Sequence, residues 1–238
     1  MYHIFITRIA VQITGSAKTT VTQYKTYDNI DDRLHDIIDY WFKHGSKFYE
    51  LQTVDHPFVV YLVYSKMYEH VIQQYTYPSW VVPTTDQSID QLKPKHIYTP
   101  LIGKDVSVSR VDADDWYCNN YFDYISQDHA YTDSSIKLTT HLHKRIRFYD
   151  RVNNRVSTPQ FFASPAFATR VYRDFTSKLI PSRHLKLWPH GDIKNRSHNT
   201  PDQSMCIQSV GCNIMNRWKV GTSAEPDEEL YNNFYIPK

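Results

Sequence analysis

The sequence predicts a single domain of α+β class spanning residues 1–238, with an antiparallel β-sandwich core flanked by several α-helices. Three observations predict it. Apolar residues make up 41% and charged residues 22% of the 238 positions, which is the composition of a chain that buries a core rather than a disordered or membrane-spanning one. Short segments that alternate apolar and polar residues recur between turn signals, as half-buried strands do. Between them lie stretches with apolar residues three and four apart, as on amphipathic helices.

The first strand runs from Tyr2 to Ile13. Its apolar residues fall at Tyr2, Ile4 and Ile6, then at Ile9, Val11 and Ile13, so the period of two changes phase across Thr7 and Arg8 and predicts a bulge. Thr14-Gly15-Ser16-Ala17 is a turn signal, and the β-branched run Thr19–Thr26 is expected to return as the antiparallel half of a hairpin. From Asn29, a candidate cap, Ile30, Leu34, Ile37, Ile38 and Trp41 share one helical face, and Lys43 and His44 precede Gly45 at the end. Phe48–Thr53 and Phe58–Ser65 read as strands. Residues 78–100 hold four prolines between aromatic flanks and read as an ordered loop inside the domain.

Val106–Val111 and Ile136–Tyr149 alternate as sheet strands. Asp150–Asn154 supplies a turn, from which Arg155–Phe162 pairs back. Ser164-Pro165 opens a predicted helix carrying Phe167, Val171, Phe175 and Leu179. Thr200-Pro201-Asp202-Gln203 has the form of a capping box, and the spacing of Cys206, Val210, Ile214 and Trp218 predicts a last helix. Asp227-Glu228-Glu229, and Asp112 with Asp114-Asp115, read as solvated loop charges.

Charge excludes some functions. Lys and Arg number 27 against 25 Asp and Glu, without a long single-sign block, so specific nucleic-acid binding is not expected. Three cysteines, Cys118, Cys206 and Cys212, cannot form a disulfide framework and suit a reducing compartment. The segment from Met1 to Arg8 lacks the pattern of a signal peptide and no run approaches a membrane span, so a cytoplasmic protein without a membrane partner is expected.

The chemistry motifs are sparse. His141 and His143 sit two apart on a strand, where imidazoles share a face, as in metal-dependent enzymes that nick single-stranded nucleic acid; a nicking or nuclease enzyme of a virus or mobile element is the alternative function. His190-Gly191-Asp192-Ile193-Lys194 resembles a kinase catalytic loop, but Ser197 stands where a magnesium-binding asparagine is needed. The same stretch with His198 weakly resembles a histidine-asparagine-histidine nuclease, yet Cys206 and Cys212 lack zinc-chelating spacing. There is no glycine-rich phosphate loop and no Gly-x-Ser-x-Gly elbow. Neither a catalytic residue, a metal nor a required cofactor follows, and the expectation is a non-enzymatic protein.

Aromatic usage points elsewhere. The chain has 19 Tyr, 11 Phe, five Trp and 12 His against six Gly. Tyrosine packs well in strands, and it is also enriched in the cores of interfaces. The candidate interface residues are Tyr61, Tyr64 and Tyr68; Tyr75 and Tyr77; Tyr117, Tyr121 and Tyr124; and Tyr231 with Tyr235. Phenols ionise near a pKa of about 10, so contacts built on them would open in alkali.

A family resemblance gathers these features. The order of hairpin, amphipathic helix, Phe48-Tyr49-Glu50-Leu51, the basic strand Lys144-Arg145-Ile146-Arg147 and Phe161-Phe162-Ala163-Ser164-Pro165 resembles cypovirus polyhedrin, as does Cys212-Asn213 with Asn216-Arg217-Trp218 and the aromatic tail. The resemblance implies a trimer packed into crystalline occlusion bodies in the cytoplasm of an infected cell, with virus particles as partners. It further implies dissolution at alkaline pH and nucleotides held in the lattice of some members. The sequence departs from the family at its start, where a strand replaces the N-terminal helical arm.

Overall fold

The computed structural model describes residues 1–10, 30–52, 55–85, 101–127, 138–161, 167–175, 205–210 and 223–237. Helices and strands mix along the chain, as the α+β class requires, and the strands form two six-stranded sheets.

The larger sheet is built on β1 (Tyr2–Ala10), β2 (Phe58–Tyr64), β3 (Val81–Thr85), β4 (Val106–Asp112), β6 (Leu138–Leu142) and β10 (Ala168–Tyr172). Its order is β3-β2-β1-β4-β10-β6. The pairs β1–β2, β2–β3 and β1–β4 are parallel, and β10 runs antiparallel to β4 and β6. The sheet is therefore mixed rather than antiparallel throughout. Parallel neighbours need crossovers. Between β1 and β2 come α1 (Ile30–Tyr40), a π-helix (Trp41–Gly45) and α2 (Lys47–Glu50); between β2 and β3 come a 3-10 turn (Lys66–Tyr68) and α3 (Glu69–Ile72). The chain steps outward from β1 to β3 and then returns to place β4 on the other side of β1. That reversal is where open α/β sheets hold ligands, at the carboxyl ends of the strands.

Position explains the composition of β1. It is central, so Ile4, Phe5 and Ile6 are all buried, and the expected alternation does not apply to it. Both of its edges are occupied by parallel partners, and the return strand expected over residues 19–26 lies outside the described residues. The expected bulge has a counterpart in the register with β2, which shifts between Arg8 and Ala10.

Three further expectations are corrected. Phe48–Thr53 was expected as a strand, but Phe48 and Tyr49 lie in α2 and are buried beneath Phe5. The helix expected from Pro165 to Leu179 is replaced by β10 over Ala168–Tyr172. All five of its residues are buried, so a strand with two covered faces mimics helical spacing. The helix expected from Cys206 gives way to β11 (Cys206–Val210), which fits between β7 (Arg145–Asp150) and β5 (Asp115–Tyr117).

The smaller sheet has the order β12-β8-β7-β11-β5, with β9 also on β7. Its strands are β5 (Asp115–Tyr117), β7 (Arg145–Asp150), β8 (Arg155–Ser157), β9 (Gln160–Phe161), β11 and β12 (Ser223–Ala224). Here the predicted hairpin forms. Asp150 Oδ1 accepts from the backbone N–H groups of Val152 and Asn153, and Asn154 completes the turn at φ 49°. Two short helices finish the frame, α4 (Tyr121–Ser126) and α5 (Glu228–Asn233), the latter capped by Asp227 through the Leu230 N–H at 2.8 Å. One apolar cluster joins both sheets, with Phe5 and Val60 from the larger and Ile146 and Ile207 from the smaller. Among the described residues, no helix is long and apolar enough to cross a membrane.

Candidate functional site

At the carboxyl ends of β1 and β4, Arg8 stands beside Asp112 in register. The Arg8 guanidinium donates through Nε and Nη2 to the two Asp112 oxygens at 2.8 and 2.7 Å, a bidentate pair. Arg110, on the same strand and 5% exposed, brings a second guanidinium to 3.7 Å of Asp112.

The chain then turns through Ala113 and Asp114 into β5, and Ala113 N–H donates to the Arg8 carbonyl at 3.1 Å. This turn buries two more carboxylates. Asp115 Oδ1 accepts from the Ser209 N–H at 3.0 Å, while Asp114 Oδ2 and Asp115 Oδ2 are enclosed without a hydrogen-bond partner among the described residues. Desolvation, followed by the charge of Asp112, raises the Asp114 pKa; desolvation, followed by Asp114, raises that of Asp115. Arg151 and Arg8 act on Asp114 in the opposite direction.

An enclosed carboxylate oxygen with no donor is expensive to keep; uptake of a proton relieves it, in line with the rise of the Asp114 pKa to about 7, and a hard divalent cation would do the same. Magnesium-like ions are held by one or two carboxylates together with substrate phosphates, retaining water for the rest. Asp112 and Asp114, flanking Ala113 at a strand end, are two carboxylates that could serve as such donors. No group of three or more His, Cys, Asp or Glu residues able to hold a metal occurs among the described residues.

The turn is held from behind by Gly45. A Cβ on Gly45 would collide with the Ala113 carbonyl oxygen and lie 2.9 Å from Cδ1 of Trp41, so only glycine lets the π-helix close on the turn. Trp41 itself is 1% exposed.

The two histidines singled out from sequence lie in the core. His141 on β6 is fully buried, and His143, just beyond it, is 1% exposed. His143 meets the rings of Tyr117 and Tyr121 edge-on at 5.4 and 5.7 Å, and neither of its ring nitrogens has a hydrogen-bond partner among the described residues. Burial, then His141, holds the His143 pKa down to about 3.

The tyrosines are engaged within the chain. Tyr117 and Tyr121 are fully buried and stacked at 3.8 Å; Tyr117 donates to the Arg110 carbonyl, and Tyr121 bonds Ser109 and Thr169. Tyr61 and Tyr64 are buried on β2. Tyr68, Tyr75, Tyr77, Tyr124, Tyr231 and Tyr235 are half-buried against the main core. Tyr75 shares a hydrogen bond with His35 at 2.7 Å, Tyr77 donates to the Ile72 carbonyl, and Tyr235 shares one with His44. Cys118 and Cys206 are buried. Cys212, His190–Asn195, His198, Asn213–Trp218 and residues 86–100 lie outside the described residues.

The acidic cluster that sequence reasoning assigned to solvated loops is thus buried, which corrects that reading for Asp114 and Asp115. Arg8 and Gly45 were not singled out for this role. The available signal was the position of Asp112-Ala113-Asp114-Asp115 at the end of an apolar-alternating strand.

No family model matches the chain, and no curated protein matches it. Among solved structures, the chain is similar to HddC from Yersinia pseudotuberculosis, in complex with GMP-PN, at 11% identity and a TM-score of 0.27 over 88% of this chain and 90% of that one.

Proposed function

We propose that the protein is a divalent-cation-dependent transferase that takes a nucleoside-diphosphate-activated sugar at the β1–β4 reversal and moves the glycosyl group to an acceptor. The observation that carries this reading is the pair Asp112 and Asp114 at the end of β4, one bridged by Arg8 and the other buried with an unsatisfied oxygen. The carboxylates suit a cation, and the cation suits a diphosphate. With no glycine-rich phosphate loop in the sequence, a diphosphate would be held through the cation and the Arg8 guanidinium.

The same absence argues against transfer of a terminal phosphoryl group, which relies on such a loop and its lysine. The reaction in this reading is substitution at the carbon that the diphosphate activates. A sugar C1 suits it because the ring oxygen shares the positive charge as the bond breaks. A bound cation would supply neutralisation of the departing diphosphate.

Calorimetry with uridine, guanosine and thymidine diphosphates tests the reading. Binding that requires manganese or magnesium and disappears in Asp112→Asn and Asp114→Asn is expected, together with release of nucleoside diphosphate from one of the matching nucleotide sugars. Cation-independent binding, or none, would overturn it.

The crystalline-matrix reading is the second, and it draws on the half-buried rings of Tyr68, Tyr124 and Tyr231, which keep part of their surface outside the core. Light microscopy of overexpressing cells tests it: refractile crystals would favour the matrix, and their absence the transferase.

A further inference from the structure

A pocket of about 450 Å³ opens between α1, the π-helix and the β7–β8 turn. That volume is within the range of small-molecule sites. Asp36 and Asp39 line it from α1, Lys43 from the π-helix, and Arg151 and Asn154 from the turn. It is distinct from the acidic turn but adjoins it, since the π-helix that forms one wall also presses Gly45 onto Ala113, and Arg151 acts electrostatically on Asp114.

The walls are built to hold their shape. The Arg151 guanidinium lies 4.3 Å over the Tyr40 ring, tying the turn to α1. Asn154 holds the left-handed conformation, φ 49°, with Oδ1 accepting from the Tyr149 hydroxyl at 3.3 Å. The π-helix itself is a rare form that is frequent at functional sites. Burial, then Lys43 and Arg151, holds the His44 pKa down to about 4, so this lining imidazole is neutral at neutral pH.

The mixture of charges selects the ligand. An anion would face Asp36 and Asp39, and a cation would face Lys43 and Arg151. A neutral polyol uses both sets, because each hydroxyl donates to a carboxylate and accepts from a guanidinium or ammonium. Tyr40 and Tyr149 also line the pocket, both largely buried, with the Tyr40 ring beneath Arg151. We infer that this pocket binds a neutral carbohydrate, the acceptor of the transfer; the acceptor role rests on the transferase reading, whereas carbohydrate binding does not.

Saturation-transfer NMR on the full chain, with a panel of neutral hexoses, deoxyhexoses and their short oligosaccharides, tests the pocket, with glucose 6-phosphate and glucosamine as charged probes. At least one neutral sugar is expected to bind, with affinity reduced about tenfold or more in Arg151→Leu and in the surface variant Lys43→Met. Circular dichroism verifies that both variants fold. Signals from none of the neutral sugars, signals from the charged probes alone, or neutral-sugar binding unchanged in both variants would overturn the assignment. The cation-dependent nucleotide titration is read separately. Sugar binding without nucleotide binding would sink the transferase and leave the pocket standing, and nucleotide binding without sugar binding would do the reverse.

Discussion

Arg8 and Asp112, 104 residues apart in sequence, close a bidentate ion pair across the β1–β4 boundary at 2.8 and 2.7 Å. In the transferase reading, the guanidinium would exchange this carboxylate for a phosphate when substrate binds. It would then compete with a bare cation for Asp112 and assist a cation that arrives with a diphosphate. Arg8→Gln is therefore expected to strengthen manganese binding in the absence of nucleotide and to weaken nucleoside diphosphate binding about tenfold, the loss of one charge-assisted contact. Calorimetric titrations with and without nucleotide check both signs. A parallel loss of the two affinities would show Arg8 to be only a scaffold for the strand ends.

Asp114 separates binding from stability. Its buried Oδ2 lacks a donor, so the carboxylate destabilises the fold by about 1–3 kcal/mol relative to a neutral isostere that fits the same space. Asp114→Asn is expected to leave the melting temperature unchanged or higher while abolishing cation-dependent nucleotide binding. A variant that melts markedly lower would mean that the carboxylate already has a structural task in the empty protein.

Gly45→Ala tests the geometry of the turn without touching a charge. The added methyl meets the Ala113 backbone carbonyl, which cannot swing aside as a flexible side chain would. A destabilisation of about 1–3 kcal/mol is expected from the overpacking. The displaced turn should also weaken nucleotide binding at temperatures where the variant remains fully folded. Urea denaturation and calorimetry on the same preparation separate the two effects.

The extent to which these features were legible in the sequence follows from burial. α1 was readable because only one of its faces is covered, leaving Leu34 and Ile38 as a stripe against charged neighbours. The β7–β8 hairpin was readable because Asp150 and Asn154 carry their turn chemistry locally. β10 and β11 were not. Both lie inside sheets, where neither face demands polar residues, and an apolar residue every fourth position suits a covered strand as well as a helix. The candidate site was hidden for a related reason. Asp114 and Asp115 become interior only because β4 returns beside β1, a pairing over about a hundred residues that no local pattern records. His141 and His143 show the converse, a local pattern with a chemical look that the sheet places against aromatic rings.

His143 gives the fold an acid sensitivity whose sign is fixed. Its folded pKa is held down to about 3, below the ordinary value of 6.5, so the unfolded chain binds the extra proton in between. The stability it contributes is complete above about 6.5 and is lost as pH falls toward the folded value, at about 1.4 kcal/mol per pH unit. Asp114 and Asp115, whose folded pKa values are raised, work in the opposite direction over part of that range. The difference between two proteins isolates the histidine. His143→Phe is expected to have a stability that rises less steeply with pH between 4 and 6 than the parent, by about one proton's worth, read from urea denaturation at each pH. Equal slopes would place a proton on the buried ring in the folded parent.

The tyrosines make the alkaline limb the sharpest test between a fold and an assembly. Tyr49, Tyr117 and Tyr121 are buried, and desolvation raises all three phenol pKa values far above the ordinary 10. For such a group the stability is complete below the unfolded pKa and is lost as pH rises toward the folded one. At one unit above 10, the three together withdraw about 4 kcal/mol, a large share of the 5–15 kcal/mol of a typical domain. Tyr61 and Tyr75, raised to about 12 mainly by burial, add to the loss. The expected outcome is a cooperative unfolding of the single chain above pH 10, in which phenolate absorbance near 295 nm and far-ultraviolet dichroism change together. If instead these phenols ionise while the dichroism holds and sedimentation shows large particles dissolving into folded units, the phenols lie between copies, and the matrix reading gains what the transferase reading loses.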